Sequence, residues 1–160
     1  MRGISATFAH AAPWRGLWRV GALIVLLATW SLVAVAQQAP SAAIAPHLVS
    51  ASEAYEATKS GKTILIDTRE SYEKRSGSPA GVGGEITYWM SGAHDADFVH
   101  AVSVLMHGRT DQSVTLICQA GVRSAAAARV LARSGFTHVQ TVAGGYDAWR
   151  DEQVPSQGAR

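Results

Sequence analysis

An aliphatic run in this chain passes through one short loop into a helix-forming segment, and few folds accommodate that arrangement. Residues 113–118 read SVTLIC, which is typical of a strand buried on both faces. From Arg123 the chain reads RSAAAARVLARSG, a series of strong helix formers that ends at a glycine. A buried strand followed directly by a helix predicts a parallel sheet, because parallel neighbours need a crossover connection.

The same alternation extends along the chain in both directions. Further strands are predicted at 63–66 (TILI), 85–90 (EITYWM) and 136–142 (FTHVQTV). Residues 70–76 are charged and predict an exposed helical turn, and 77–84, GSPAGVGG, predict irregular backbone. We therefore predict an α/β fold with a doubly wound, mainly parallel sheet and helices on both faces.

Three other helices are marked by local signals. Ser50 and Glu53 have the spacing of a capping box and predict a helix start. A second helix is expected from Asp95 or Asp97 to Met106. A last short helix, YDAWRDE at 146–152, follows a Gly-Gly turn. Helices and strands therefore alternate throughout the predicted domain.

The first part of the chain predicts export. Arginines precede the apolar run 20–36, which ends in Ala-Val-Ala, and we interpret 1–36 as a cleaved signal peptide, with an uncleaved membrane anchor as the alternative. Both interpretations place the remainder outside the cytoplasm, which means the periplasm if the chain comes from a Gram-negative bacterium. We expect 37–49 to be a flexible lead, 50–155 the domain and 156–160 a tail.

Charge and composition exclude several classes of partner. Three of the fourteen basic residues lie in 1–36, so eleven basic and twelve acidic side chains remain. This balance excludes a nucleic-acid surface and leaves membrane contact only to an uncleaved N-terminal segment. His100 and His107 are two helical turns apart, too far for one ion. We predict no metal and no cofactor.

Cys118 is the single cysteine, so no intrachain disulfide can form. It falls at the carboxyl end of a predicted strand, where open parallel sheets bind ligands. The loop that follows is short enough to turn its N–H groups inward as an anion-binding nest, and a helix N-terminus and Arg123 add positive charge. Such surroundings lower the pKa of cysteine thiols, so we expect a thiolate at neutral pH. A buried, inert cysteine is the alternative.

Three motifs in this order resemble the rhodanese family over 50–151. They are the active-site loop CQAGVRS (118–124), the strand and Asp-x-Arg turn ILIDTRE (64–70), and the closing GGYDAW (144–149). The resemblance implies a sulfurtransferase. It would move a sulfane sulfur from thiosulfate or a related donor, through a cysteine persulfide, to cyanide, a small thiol or a protein acceptor.

The resemblance also implies roles for individual residues. Cys118 is the nucleophile, and Asp67 and Arg69 support its loop from the neighbouring strand end. Arg123 steadies the loop and the anionic donor. The backbone N–H groups that would hold the transferred sulfur belong to Gln119, Ala120, Gly121, Val122, Arg123 and Ser124.

One stretch departs from the family pattern. Many relatives have Gly-His-Ile-x-Gly-Ala after the Asp-x-Arg helix, whereas residues 77–86 here read GSPAGVGGEI and contain no histidine. The choice of acceptor therefore stays open. Tyr88, Trp89 and Met90 follow, and we interpret them as core and edge packing in preference to the mouth of a pocket.

Two other functions compete with sulfur transfer. Related phosphatases use the same cysteine and arginine in a loop one residue longer, and the shorter loop here suits a sulfur atom better than a phosphate. The second alternative is a non-catalytic module that binds a partner or senses oxidants through Cys118.

Overall fold

A computed structural model of the chain describes residues 45–158, so the predicted signal segment lies outside the described residues. Five parallel strands form the main sheet, in the order β1-β6-β5-β2-β4, and β3 and β7 form a separate antiparallel pair. The strands are β1 His47–Val49, β2 Ile64–Asp67, β3 Ser78–Pro79, β4 Val82–Glu85, β5 Val114–Ile117, β6 Val139–Val142 and β7 Ser156–Gln157. The helices are α1 Ala51–Lys59, α2 Asp95–Leu105, α3 Val122–Arg133 and α4 Gly145–Asp151, with one 3₁₀ helix at Glu73–Ser76.

Helices cover both faces of the sheet, which confirms the doubly wound prediction. Successive strand residues point to opposite faces, and Leu116 and Ile117 of β5 accordingly enter different apolar clusters. The cluster around Leu116 includes buried residues of α2 and α3, and the cluster around Ile117 includes buried residues of α1 and α4. Trp149 is fully buried in the second cluster and anchors α4.

The winding of the sheet changes direction between β2 and β5. From β2 the chain adds β4 on one side and then crosses back to add β5 and β6 on the other. Ligands bind at such switch points, beyond the carboxyl ends of the strands. Asp67 at the end of β2 lies in register with Ile117 at the end of β5, so the residues that follow both strands share this edge.

The strand predicted at 85–90 is wrong, because β4 instead uses the glycine-rich residues Val82–Glu85. The pairing of β4 with β2 ends where Asp67 lies opposite Glu85. Beyond Glu85, the chain makes only isolated backbone hydrogen bonds to the end of β2 and the residue after it. A Cβ on Gly84 would collide with the Leu105 side chain. The glycine therefore allows α2 to pack closely on β4, and it does not mark the irregular backbone that was predicted. Beyond β4, Tyr88 is buried, whereas Trp89 and Met90 are exposed.

Two short strands fall outside the segments expected to be structured. β1 lies in the predicted lead and pairs with β6, and β7 lies in the predicted tail and pairs with β3. Strands of two or three residues carry too few positions to show periodicity, so pairing partners alone define them.

The capping box at the start of α1 is confirmed, since Ser50 and Glu53 exchange hydrogen bonds. Within residues 45–158, no helix combines the length and apolarity needed to span a bilayer.

Candidate active site

Cys118 follows β5 directly and lies at the start of the loop that leads into α3. Its side chain is almost completely buried, with 1% of the residue exposed. The backbone N–H of Gly121 donates to Cys118 Sγ at 3.2 Å. Gly121 has a φ of +85°, a left-handed conformation that glycine adopts without strain. This turn lets the chain bend back so that a main-chain donor contacts the sulfur.

The loop has a surplus of main-chain donors. The first N–H groups of a helix have no acceptor within the helix, and no side chain caps the start of α3. The Ser124 hydroxyl donates to the Gly121 carbonyl instead, at 3.0 Å. Within residues 45–158, no protein acceptor takes a hydrogen bond from the N–H groups of Gln119, Ala120, Val122, Arg123 and Ser124.

The carbonyl groups of the same loop are bound from the opposite side by α4. The N–H of Tyr146 donates to the Cys118 carbonyl at 2.8 Å, and the N–H of Asp147 donates to the Gln119 carbonyl at 3.0 Å. The C=O and N–H of a trans peptide point in opposite directions. The N–H groups of Gln119 and Ala120 therefore point away from α4, as an anion-binding loop requires.

The Gly-Gly turn before α4 makes this close approach possible. Gly145 has a φ of +62°, and a Cβ there would lie 2.7 Å from both the Gln119 carbonyl oxygen and the Gly121 nitrogen, as well as against the Cys118 carbonyl. Any larger residue at Gly145 would separate α4 from the loop. The Gly-Gly motif is thus explained by backbone packing.

Arg69 joins the loop to the end of β2 and to α4. Its Nη2 lies 2.8 Å from Asp67 Oδ2, and neither side chain has any exposed surface. Its guanidinium carbon lies 3.9 Å from the centre of the Tyr146 ring. Its Nη1 is 3.4 Å from Gln119 Oε1, a weak contact with the loop. Asp67 and Arg69 therefore lie where the sequence analysis placed them, next to the loop.

Arg123 forms an ion pair with Glu73 of the 3₁₀ helix. Its Nη1 donates to Glu73 Oε2 at 2.8 Å, and its Nη2 contacts Oε1, so the pair is bidentate. Both side chains are largely buried. We expected this guanidinium to hold the donor, but in the structure its two terminal nitrogens contact a carboxylate of the protein.

The pair favours the ionised form of both partners. Burial raises the pKa of Glu73, but hydrogen bonds from Arg123 and from the Glu70 N–H outweigh it and hold the pKa below 4.5. The hydrogen bond with Glu73 raises the pKa of Arg123, with partial burial opposing it. Glu73 was not among the predicted site residues, because it lies in a segment expected to be exposed. Its partner is fifty positions away, so no local pattern marks the contact.

The family model for the rhodanese-like domain matches residues 50–152, which is more than half of the chain. The chain belongs to the rhodanese-like domain family. The match starts at the capping box of α1 and ends just after α4, so it includes all four helices and the whole Cys118 loop. The resemblance read from the three sequence motifs is confirmed at the level of the family.

Relatives of this rhodanese-like domain include an enzyme and structural neighbours. This chain is 31% identical over 116 residues to thiosulfate sulfurtransferase 16 of Arabidopsis thaliana, and the match covers 70% of this chain and 93% of the relative. A rhodanese-related protein from Thermoplasma volcanium has 27% identity and a TM-score of 0.55, over 69% of this chain and 97% of its own. A Rhodopseudomonas palustris protein, described as a possible tyrosine phosphatase, has 20% identity and a TM-score of 0.55, over 97% of this chain and 100% of its own. That last likeness is one of fold alone.

The rhodanese-like loop thus places a cysteine sulfur beside main-chain donors that could stabilise a negative charge. A sulfur atom bound to Cys118 as a persulfide would be an anion at the N-terminus of α3, where main-chain N–H groups and the helix dipole stabilise negative charge. Within residues 45–158, no group of three or more His, Cys, Asp or Glu side chains is placed to hold a metal ion.

Proposed function

We propose that this protein is a sulfurtransferase that takes a sulfane sulfur from thiosulfate or a related donor and carries it as a persulfide on Cys118. The observation that carries the proposal is the loop itself. Gly121 donates to the sulfur, the remaining loop N–H groups have no acceptor within residues 45–158, and α4 holds the loop carbonyls on the other side. This arrangement suits a sulfur anion. The enzyme name of the Arabidopsis thaliana relative supports the same reaction.

The reaction would proceed in two displacements. In the first, the Cys118 thiolate attacks the outer sulfur of thiosulfate, a new S–S bond forms, and the donor's S–S bond breaks. Sulfite leaves with the electron pair of that broken bond. In the second, cyanide or a thiolate attacks the outer sulfur of the persulfide, and the electron pair of its S–S bond returns to Cys118. Ping-pong kinetics should follow from the covalent intermediate.

The burial of the sulfur limits which reagents fit. Only 1% of Cys118 is exposed. The outer sulfur of a donor, or the nucleophilic atom of an acceptor, must therefore belong to a narrow molecule or group if it is to reach the Cys118 sulfur. Thiosulfate, cyanide and an unhindered thiol have this shape, and so would a cysteine at the end of a flexible segment in a protein acceptor. We therefore propose that the reaction partners are small molecules or thiols at the end of a flexible segment.

The two alternatives have less support. Four residues separate Cys118 from Arg123, which gives a small loop, and the Arg123 guanidinium is paired with Glu73 and so is not free for a phosphate. Oxidant sensing favours an exposed thiolate, whereas this sulfur is buried. The surplus of main-chain donors would serve a phosphate as well as a persulfide, so the small loop and the pairing of Arg123 carry the argument against a phosphatase.

Mass spectrometry of Cys118 tests the proposal. After thiosulfate treatment, we expect a gain of one sulfur atom on the peptide that contains Cys118, and its loss as thiocyanate when cyanide is added. Cys118→Ser protein is the control. Adducts of oxygen alone would support oxidant sensing and contradict the proposal. Hydrolysis of a phosphate ester without any gain of sulfur would support the phosphatase.

We further propose that the reaction takes place outside the cytoplasm, on the basis of the sequence of residues 1–36. Cell fractionation and N-terminal sequencing of the mature protein test this. A start at or near Gln37 in an exported fraction supports a signal peptide, and an intact N-terminus in the membrane fraction supports an anchor. A cytoplasmic protein with residues 1–36 intact contradicts export.

A further inference from the structure

The two arginines that the structure places at the Cys118 loop are already paired with carboxylates of the protein. Arg123 binds Glu73, and Arg69 binds Asp67 with no exposed surface. Of the loop residues 118–124, Arg123 alone carries a fixed positive charge. We propose that Glu73 determines donor specificity by neutralising Arg123, so that the site favours persulfide donors of low charge over the thiosulfate dianion. This inference rests on the proposed function.

Glu73 is built into the fold as a partner for Arg123. Its side chain is 11% exposed, and its Oε2 accepts both Arg123 Nη1 at 2.8 Å and the Glu70 N–H at 2.9 Å. The second carboxylate oxygen contacts Arg123 Nη2. A carboxylate with this many charge-assisted hydrogen bonds keeps its geometry. An incoming anion would therefore meet a neutral pair in place of a free guanidinium.

The net charge of the pair matters because the nucleophile is itself an anion. Thiosulfate brings two negative charges towards the Cys118 thiolate, and main-chain N–H groups and the α3 dipole supply only partial positive charge. A free guanidinium would offset much of the repulsion, and a neutralised one offsets little. A protonated persulfide, RSSH, brings no net charge and so loses nothing by the pairing of Arg123.

The reaction with such a donor balances without any other reagent. The Cys118 thiolate attacks the outer sulfur of RSSH, a new S–S bond forms, and the S–S bond of the donor breaks. The donor's proton passes to the departing sulfur, which takes the electron pair and leaves as the thiol RSH, and Cys118 keeps the transferred sulfur as the anion Cys118–S–S⁻. The total charge is the same before and after the step. Because a sulfur atom only moves from one thiol to another, no external oxidant or reductant is needed.

A donor comparison with Glu73→Gln tests the inference. We would measure kcat and KM on the full chain with thiosulfate and with cysteamine persulfide, whose ammonium group balances the charge of an ionised persulfide, and take the ratio of the two kcat/KM values. The wild-type ratio should favour the persulfide. Glutamine keeps the size and a hydrogen-bond acceptor but removes the charge, so the ratio should shift towards thiosulfate by about tenfold, mainly through KM for thiosulfate. High salt should weaken this gain, because it depends on a long-range charge.

Glu70→Gln is the matched control. It removes the same charge from the same turn, while the Glu70 contact with Glu73 is made by the backbone N–H and is retained. Its donor ratio should stay within about twofold of wild type. An unchanged ratio in Glu73→Gln, or a wild-type preference for thiosulfate, would overturn the inference and leave sulfur transfer intact. If neither donor places sulfur on Cys118, the proposed function itself fails.

Discussion

The backbone N–H of Tyr146 donates to the carbonyl oxygen of Cys118 at 2.8 Å. This bond connects the start of α4 to the candidate nucleophile, and it defines which way the first peptide of the loop faces. The positions of Gly144 and Gly145 immediately before Tyr146 allow the two backbones to come this close. The geometry of the Cys118 loop therefore depends on a helix that begins more than twenty residues later in the sequence.

Substitution of Gly145 by alanine should damage both stability and sulfur transfer. The new Cβ would meet the loop backbone at 2.7 Å, in a residue with a φ of +62°. We expect a loss of about 2–4 kcal/mol in the free energy of unfolding, measured by urea denaturation, and loss of persulfide formation. Gly61→Ala is the control, because Gly61 has a φ of +71° with nothing within 4 Å. It should cost only about 1–2 kcal/mol, and equal losses in the two variants would contradict the packing argument.

Removal of the Arg69 side chain should be far more costly than removal of an exposed arginine. Arg69→Met leaves the Asp67 carboxylate buried without its partner, and we expect a loss of about 3–5 kcal/mol in unfolding free energy. Arg150→Met removes an arginine that is 54% exposed and should cost less than about 1 kcal/mol. A double variant with Asp67→Asn should recover part of the loss. Additive losses in the double variant would show that the pair is not coupled.

Cys118→Ser should abolish sulfur transfer and leave the fold in place. A hydroxyl is close in size to a thiol and can still accept the N–H of Gly121, but it does not form a persulfide. We expect no sulfur gain by mass spectrometry, an unchanged far-ultraviolet circular dichroism spectrum and a loss of at most about 1–2 kcal/mol in stability. Retained turnover would refute Cys118 as the nucleophile.

The Glu73–Arg123 pair should make stability depend on pH in the acid range. The hydrogen bonds with Arg123 and Glu70 outweigh burial and hold the pKa of Glu73 below 4.5 in the folded protein, so the unfolded state binds the proton more readily. The pair therefore stabilises the fold above pH 4.5, and this contribution is lost as pH falls through the lowered pKa. We would compare urea denaturation of wild type and Glu73→Gln from neutral to acid pH. The difference should shrink with acidification, and a constant difference would contradict the ionic role.

The fold class follows from patterns that are local in sequence. Aliphatic strands next to helix formers with caps and glycine stops predict an α/β domain, because each element needs only its own residues to be recognised. The strand at 85–90 was misplaced for the converse reason. β4 is defined by pairing with β2 and by contact with Leu105 of α2, and neither partner is visible within the segment itself.

Residue type and spacing along single stretches of chain were enough to predict the parallel sheet, the family motifs and the position of Cys118 between a strand and a helix. Three contacts became apparent only in the folded chain: Glu73 pairs with Arg123, the Arg69 guanidinium lies over the Tyr146 ring, and α4 binds the loop carbonyls. Ion pairs, cation–ring contacts and backbone contacts depend on distances between residues far apart in the chain, and folding alone brings those residues together.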